Sequence, residues 1–250
     1  MTSPAAHTLM QSRVLVFDSQ RELETAVAGE FLRIVNAALG SRPLCHVALS
    51  GGGTPRGVYR LLGKGPENTE IDWTRVHLYF GDERMVPPTD EESNYRMVYA
   101  ELISRIPIPA ENVHRIRGEM PAPEAAASYA KELSAIFTGK DNTFDLVLLG
   151  VGEDGHTASL FPGTDAVNET NEPVTAVYVP SHGAWRTTLT LPIINRSRDV
   201  RFIVAGSGKA EIIRRLLSAD APTGDLPASL IRPETGTLRW MLDREAAELI

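Results

Sequence analysis

Two groups able to carry protons, Asp154 and His156, stand close together in the glycine-rich stretch Gly150-Val-Gly-Glu-Asp-Gly-His-Thr-Ala-Ser-Leu-Phe-Pro-Gly163. An imidazole exchanges protons near neutral pH, and a carboxylate beside it can orient the ring or a water molecule. The pairing suits acid–base chemistry. The plainer alternative is that Asp154 caps a short helix while His156 faces solvent, so the rest of the chain has to decide. Gly81-Asp-Glu-Arg84 adds two carboxylates and a guanidinium. Arg84 can hold a phosphate or a developing oxyanion, and Asp82 or Glu83 can orient Arg84 or a sugar hydroxyl. In isolation such a cluster is equally a solvated charge group.

Ser50-Gly-Gly-Gly-Thr-Pro55 offers a different capability. The side chains missing at Gly51, Gly52 and Gly53 let backbone N–H groups approach a ligand, and a helix beginning there favours an anion. Thr54 adds a hydroxyl. The alternative is a tight turn without a ligand, although three consecutive glycines exceed what a turn needs. The Gly-Lys-Ser/Thr ending of a nucleotide P-loop is missing. Arg186 and Lys209 are further candidate anion ligands that gain weight only from context.

These residues need elements to position them, and the hydrophobic pattern supplies strands and helices in alternation. Val14 to Phe17 reads as a strand. A helix opens at Ser19 with Glu22 as a capping box, carries apolar residues at helical spacing from Leu23 to Ala38, and stops at Gly40. Leu44 to Leu49 is a strand leading into the glycine loop, with Pro55 as the first residue of a helix through Leu62. Val76 to Phe80 is a strand ending at Gly81. A helix over Asn94 to Ser104, a short strand over Val113 to Ile116 and a helix over Pro123 to Phe137 follow. Phe144 to Leu149 reads as a buried parallel strand that delivers Asp154 and His156 at its carboxyl end, where open α/β sheets keep their ligand crevice. Val174 to Val179, Arg186 to Leu191, Val200 to Ala205 and Leu238 to Leu242 are further strands. Gly206 to Lys209 opens a helix over Ala210 to Leu217, and Arg244 to Leu249 is expected as a last helix. Gly63 to Thr69 and Ala219 to Leu226 are the expected mobile loops.

The pattern predicts an α/β fold with a largely parallel open sheet flanked by helices on both faces, a Rossmann-like three-layer arrangement. Residues 1–12 are expected to be a flexible tail and residues 13–250 one domain. The chain has 250 residues, of which 42% are hydrophobic, enough for a sizeable core. A net charge of −7 leaves no basic field for bulk binding of nucleic acid or anionic membrane. Basic residues must therefore act locally, as on one phosphate group. The single cysteine, Cys45, excludes an internal disulfide and is expected to pack inertly in a strand. No run of 18 apolar residues predicts a membrane helix, and Met1 to Gln11 lacks the pattern of a signal peptide. A cytoplasmic location is expected.

Two other chemistries are weaker. Gly150 to Gly155 matches the dinucleotide fingerprint, but Glu153 and Asp154 would repel a pyrophosphate and no ribose-binding acid is evident at the right offset. His46, His77 and His114 lie within strands, where a structural role is expected, and no histidine pair has helical metal-ligand spacing. No metal is expected.

Taken in order, these segments resemble the 6-phosphogluconolactonase family, within the wider group that includes glucosamine-6-phosphate deaminases. The matching residues are Ser50 to Pro55, Gly81 to Arg84 with Val86-Pro87, and Ser93-Asn94 with Met97. They continue with Gly150 to Gly163, Arg186 with Thr188 to Pro192 and Asn195, and Gly206 with Lys209. The resemblance implies hydrolysis of 6-phosphoglucono-1,5-lactone to 6-phosphogluconate in the oxidative pentose phosphate route, without metal or organic cofactor. It implies His156 as the proton carrier that activates water, Asp154 as its orienting partner and Arg84 as the charge stabiliser. Gly51, Gly52, Gly53, Thr54, Asp82, Arg186 and Lys209 would bind the substrate and its phosphate. The substrate is then a small sugar phosphate lactone, with no nucleic acid, membrane or oligomer required. The deaminases resemble this loop as far as the histidine but continue to an Asn-Glu-Pro, whose glutamate assists ring opening. Here Phe161 falls at that glutamate. A deaminase-like isomerase therefore lacks one proton carrier. A sugar-phosphate-sensing regulator would need a DNA-binding module, for which the dozen or so residues before the first strand are too few.

Overall fold

The computed structural model describes residues 14–65, 71–139, 142–218 and 225–250. The expected tail, residues 1–12, lies outside the described residues, as do 66–69 and 219–224 of the two expected mobile loops. Seven strands form one parallel sheet: β1 (Val14–Phe17), β2 (Cys45–Leu49), β3 (Val76–Phe80), β5 (Val113–His114), β6 (Leu146–Leu149), β9 (Asp199–Val204) and β10 (Thr237–Asp243). Their spatial order is β1-β10-β9-β6-β2-β3-β5. From β2 the chain builds outward through β3 to β5, then returns to lay β6 on the other side of β2 and builds the opposite way through β9 and β10. The order therefore reverses between β2 and β6. At such a switch point the two departing connections diverge and leave a crevice beyond the strands' carboxyl ends.

Every residue of β2 and of β6 is buried, as apolar strands covered on both faces require. The main helices are α1 (Gln20–Ser41), α2 (Gly53–Lys64), α3 (Asn94–Glu101), α4 (Ala122–Ile136), the short α5 (Leu191–Asn195) and α6 (Ala210–Leu217). The capping at α1 is real but shifted by one residue. Glu22 N–H donates to Ser19 Oγ at 3.3 Å, and the Glu22 carboxylate reaches back to Asp18 N–H at 3.2 Å. α1 packs on α2, whereas α4 packs on β7 (Val174–Val179) and β8 (Ala184–Leu189).

Those two strands join β4 (Asp82–Arg84) in a second, antiparallel sheet of order β4-β8-β7. The sequence pattern does not separate this sheet from the main one, because β4 has only three residues and follows β3 after Gly81 alone. It matters for the site, since it carries Arg84 and Arg186 together. Several expected elements differ. The strand expected over Arg186 to Leu191 runs Ala184–Leu189, and Leu191 opens α5. The helix from Asn94 ends at Glu101, because fully buried Leu102 leaves helical geometry at φ −129° and a separate 3₁₀ turn runs Ile103–Arg105. β5 stops at His114, since Gly118 N–H turns back to the Ile116 carbonyl. Arg244 to Leu249 forms turns rather than a helix. The Asp243 carboxylate takes the Ala246 N–H, and mixed spacings among the remaining bonds never establish a continuous ladder. Among the described residues no helix is long and apolar enough to cross a membrane.

Candidate active site

The glycine-rich loop leaves β6 at the switch point, and its geometry begins with an absent side chain. A Cβ on Gly152 would lie 2.1 Å from His156 Nδ1 and 2.6 Å from Asp154 Oδ1. Only glycine lets those two groups meet there. Asp154 Oδ1 accepts the His156 backbone N–H at 3.0 Å and stands 2.6 Å from His156 Nδ1. Burial opposes ionisation of Asp154, but the His156 N–H, its charge and its ring hydrogen bond outweigh it and hold the carboxyl below its ordinary range. An ionised carboxylate is acceptor only, so Nδ1 carries the proton and Nε2 is left as the basic nitrogen. No α-helix opens at the Gly150–Gly155 turn, so the backbone donors that a dinucleotide fingerprint aims at a pyrophosphate are not assembled. Asp154 therefore closes a turn and holds an imidazole.

The ring is fixed from its face as well. Phe161, buried, stacks on His156 with centroids 4.1 Å apart and planes inclined by 27°. Between them Ala158 adopts φ +48°, a left-handed conformation that costs a non-glycine residue energy and is found where the surroundings over-determine the chain. The surroundings here are Thr157, whose hydroxyl donates to the Gly150 carbonyl at 2.8 Å, and Ser159, whose N–H donates to Thr188 Oγ1 at 3.1 Å.

Across the crevice, α2 begins at Gly53, earlier than the Pro55 start expected from sequence. The Gly53 and Thr54 N–H groups thus occupy the first turn, where no preceding helical carbonyl can take them. Ser50 is clamped by Tyr59, whose hydroxyl accepts from Ser50 N–H at 3.0 Å and donates to its carbonyl at 2.8 Å. Asn94 presses so closely on Gly51 that a Cβ there would stand 2.0 Å from Asn94 Oδ1.

β4 distributes its charges unequally. Glu83 is buried and its carboxylate accepts the Arg84, Asn94 and Tyr95 N–H groups, capping the start of α3. Burial pushes its pKa up against the pull of those donors. Its role is structural, which removes it as a partner for a sugar hydroxyl. Asp82 accepts from Ser159 Oγ at 2.7 Å and Asn94 Nδ2 at 3.3 Å, which ties β4 to the histidine loop. Arg84 Nη1 donates to the Glu92 carbonyl at 2.6 Å. Arg186 faces Arg84 across the β4–β8 ladder. Burial first, and the Arg84 charge second, push the Arg186 guanidinium below its ordinary pKa. Lys209 follows Gly206, a residue at φ +94° whose N–H is held by both Asp243 oxygens at 3.0 Å.

All of these surfaces enclose one cavity of about 350 Å³, within the range that suits a small ligand. Gly51, Gly52, Gly53, Thr54, Asp82, Arg84, His156, Arg186 and Lys209 line it, and Asp154 stands behind His156. Three cations and one carboxylate, Asp82, give the lining a positive excess on an acidic chain. Sequence reasoning missed the parts played by Asn94, Ser159 and His182, which also line the cavity. Asn94 follows Ser93 at a helix start, and that was the available signal. Ser159 lies within the matching stretch Gly150 to Gly163, and His182 offered no signal.

Comparison with known proteins gives the family and the fold. The sequence profile of the family described as glucosamine-6-phosphate isomerases/6-phosphogluconolactonase matches residues 18–240. A 6-phosphogluconolactonase of Aggregatibacter actinomycetemcomitans is 40% identical over 205 residues, covering 82% of this chain and 87% of its own. A 6-phosphogluconolactonase of Homo sapiens is 40% identical over 245 residues, covering 95% and 93%. The solved structure of 6-phosphogluconolactonase from Trypanosoma brucei superimposes with a TM-score of 0.82 at 30% identity, covering 94% of this chain and 97% of that one. With its sheet reversing at β2 and β6 and its histidine loop opening onto a cation-lined cavity, this chain belongs to the glucosamine-6-phosphate isomerase/6-phosphogluconolactonase family.

Proposed function

We propose that the protein hydrolyses 6-phosphoglucono-1,5-lactone to 6-phosphogluconate, the ring-opening step of the oxidative pentose phosphate route. The observation that carries this reading is the Asp154–His156 pair, 2.6 Å apart, on a cavity that also presents Arg84, Arg186 and Lys209. His156 Nε2 takes a proton from water as the water oxygen bonds to the lactone carbonyl carbon. Asp154 steadies the imidazolium that results. Arg84 offsets the charge on the tetrahedral oxyanion. The bond to the ring oxygen then breaks, and the proton held by His156 passes to that oxygen as it leaves. Arg186 and Lys209, with the Gly53 and Thr54 N–H groups of the Gly51–Thr54 loop, hold the C6 phosphate, and Asp82 accepts from a sugar hydroxyl.

No step of this sequence calls for a metal or organic cofactor. Every residue that these steps use belongs to one chain, so the reading invokes no oligomer, and a net charge of −7 supplies no basic field for nucleic acid or anionic membrane. Residues 13–250 act as one catalytic domain, in the cytoplasm. Acid release from the lactone, measured after subtracting spontaneous hydrolysis, tests the proposal. Release no faster than the spontaneous rate would reject it.

A further inference from the structure

One ionisable residue of the cavity takes no part in the proposed steps. Asp82, Arg84, His156, Arg186 and Lys209 each have a role above, and His182 lines the same cavity without one. It falls outside the segments that carry the family resemblance. His182 ends the 3₁₀ turn Pro180–His182 between β7 and β8, and Gly183, in the left-handed region, sends the chain back into β8. The turn leaves the ring exposed at the rim of the cavity.

Two contacts hold that ring in place. Ser181 Oγ lies 3.0 Å from Nδ1. The ring centroid is 5.3 Å from that of Phe161, with planes inclined by 59°. Phe161 is also the ring stacked on His156 at 4.1 Å, so one aromatic side chain touches both histidines. This puts His182 beside the end of the cavity where the lactone carbonyl meets His156. A ring held in advance loses little freedom when a ligand arrives. Its Nε2 makes no hydrogen bond with a described residue. A second proton carrier is a poor fit, because the neutral Ser181 hydroxyl stands where His156 has the Asp154 carboxylate, and nothing steadies an imidazolium.

We propose, resting on the lactonase reading, that His182 is a further substrate-contacting residue whose Nε2 hydrogen-bonds a ring hydroxyl of the lactone. A hydroxyl both donates and accepts, so it pairs with Nε2 whichever ring nitrogen carries the proton. The C6 phosphate is the competing target, since Arg186 follows four residues later on β8. An ionised phosphate only accepts, however, and Arg186, Lys209 and the Gly53 and Thr54 N–H groups already serve it.

Kinetics and ring ¹H–¹⁵N spectra of histidine-labelled protein test it together. Hydrolysis of 6-phosphoglucono-1,5-lactone is measured in the parent and in His182→Ala, and the parent is titrated separately with 6-phosphogluconate and with inorganic phosphate. The expected result is a KM raised roughly three- to tenfold in His182→Ala, the scale of one hydrogen bond, with kcat little changed. The His182 ring signal should shift saturably with 6-phosphogluconate and stay in place with inorganic phosphate. An unchanged KM in His182→Ala, or a His182 signal that 6-phosphogluconate leaves in place, would overturn the proposal. An equal shift with inorganic phosphate would overturn it too, by making His182 a phosphate ligand. The parent's rate separates the two readings. A parent that hydrolyses the lactone while His182→Ala matches it removes only His182. A parent no faster than the spontaneous rate removes the lactonase reading, and the titration, which needs binding alone, still decides the contact.

Discussion

Arg84 and Arg186 stand directly opposite each other on the antiparallel strands β4 and β8, both line the cavity, and neither makes an ion pair with a described carboxylate. Two like charges held together in a half-buried wall repel, and the lowered pKa of Arg186 registers burial and that repulsion. An anion between or beside them relieves it. Arg186→Ala is expected to raise KM for the phosphorylated lactone by roughly tenfold or more, in line with the loss of a charge-assisted contact, with kcat little changed. Arg84→Ala is expected to lower kcat by about 10²-fold, the scale of a lost oxyanion partner. Steady-state kinetics separate the two. A pure KM effect in Arg84→Ala would move that residue to the phosphate.

The phosphate assignment has its own control. Lys209→Ala should weaken binding of the phosphorylated lactone and leave hydrolysis of an unphosphorylated lactone nearly untouched. Equal losses on both would show that Lys209 does not read the phosphate. The positive excess in the cavity also makes substrate affinity fall with added salt.

Gly152 allows a sharper test of geometry. An added methyl overlaps His156 Nδ1 and Asp154 Oδ1, so Gly152→Ala must push the imidazole from its carboxylate. A displacement on the order of 1 Å at a catalytic group costs about 10²-fold in rate. Turnover should fall on that scale while thermal unfolding changes little. Wild-type turnover in a folded Gly152→Ala protein would mean that the pairing is not used.

Much of this site could be read from the chain because its parts sit at strand ends. Contiguous apolar runs such as Leu146 to Leu149 mark parallel strands, and glycine-rich turns after them mark the crevice, so local pattern placed Gly51–Thr54, Asp154 and His156 at strand ends, and the order of the segments along the chain weighed in favour of a site. The antiparallel sheet was not. Three residues of β4 carry no periodicity, and the contact that matters there, Ser159 to Asp82, joins positions 77 residues apart. The Arg84–Arg186 facing pair likewise depends on a ladder register that no local signal encodes. His182 reaches the cavity only because Gly183, at φ +58°, turns the β7–β8 connection back on itself.

Burial of His46 in β2 makes stability depend on pH. Its folded pKa of about 4 lies below the ordinary 6.5, so the unfolded chain takes up a proton that the native state refuses. The sign follows directly. The native state loses nothing above pH 6.5, loses stability progressively as pH falls from 6.5 to 4, and loses no more from this residue below that. The total is at most roughly 3 kcal/mol. Denaturant unfolding of His46→Gln between pH 7 and 4 should show a flatter decline than the parent. An identical slope would assign the acid sensitivity to other groups.

His156 is the proton carrier of the proposed lactonase, and one paired measurement tests that role. Acid release from 6-phosphoglucono-1,5-lactone and ammonia release from glucosamine 6-phosphate are followed in the parent and in His156→Ala. Deamination needs a further placed proton carrier, whereas Phe161 presents only a ring stacked on His156. The expected result is lactone hydrolysis well above the spontaneous rate, reduced by roughly 10²–10⁴ in His156→Ala, and no ammonia from either protein. Wild-type turnover in folded His156→Ala, or steady ammonia release that His156→Ala abolishes, would contradict it.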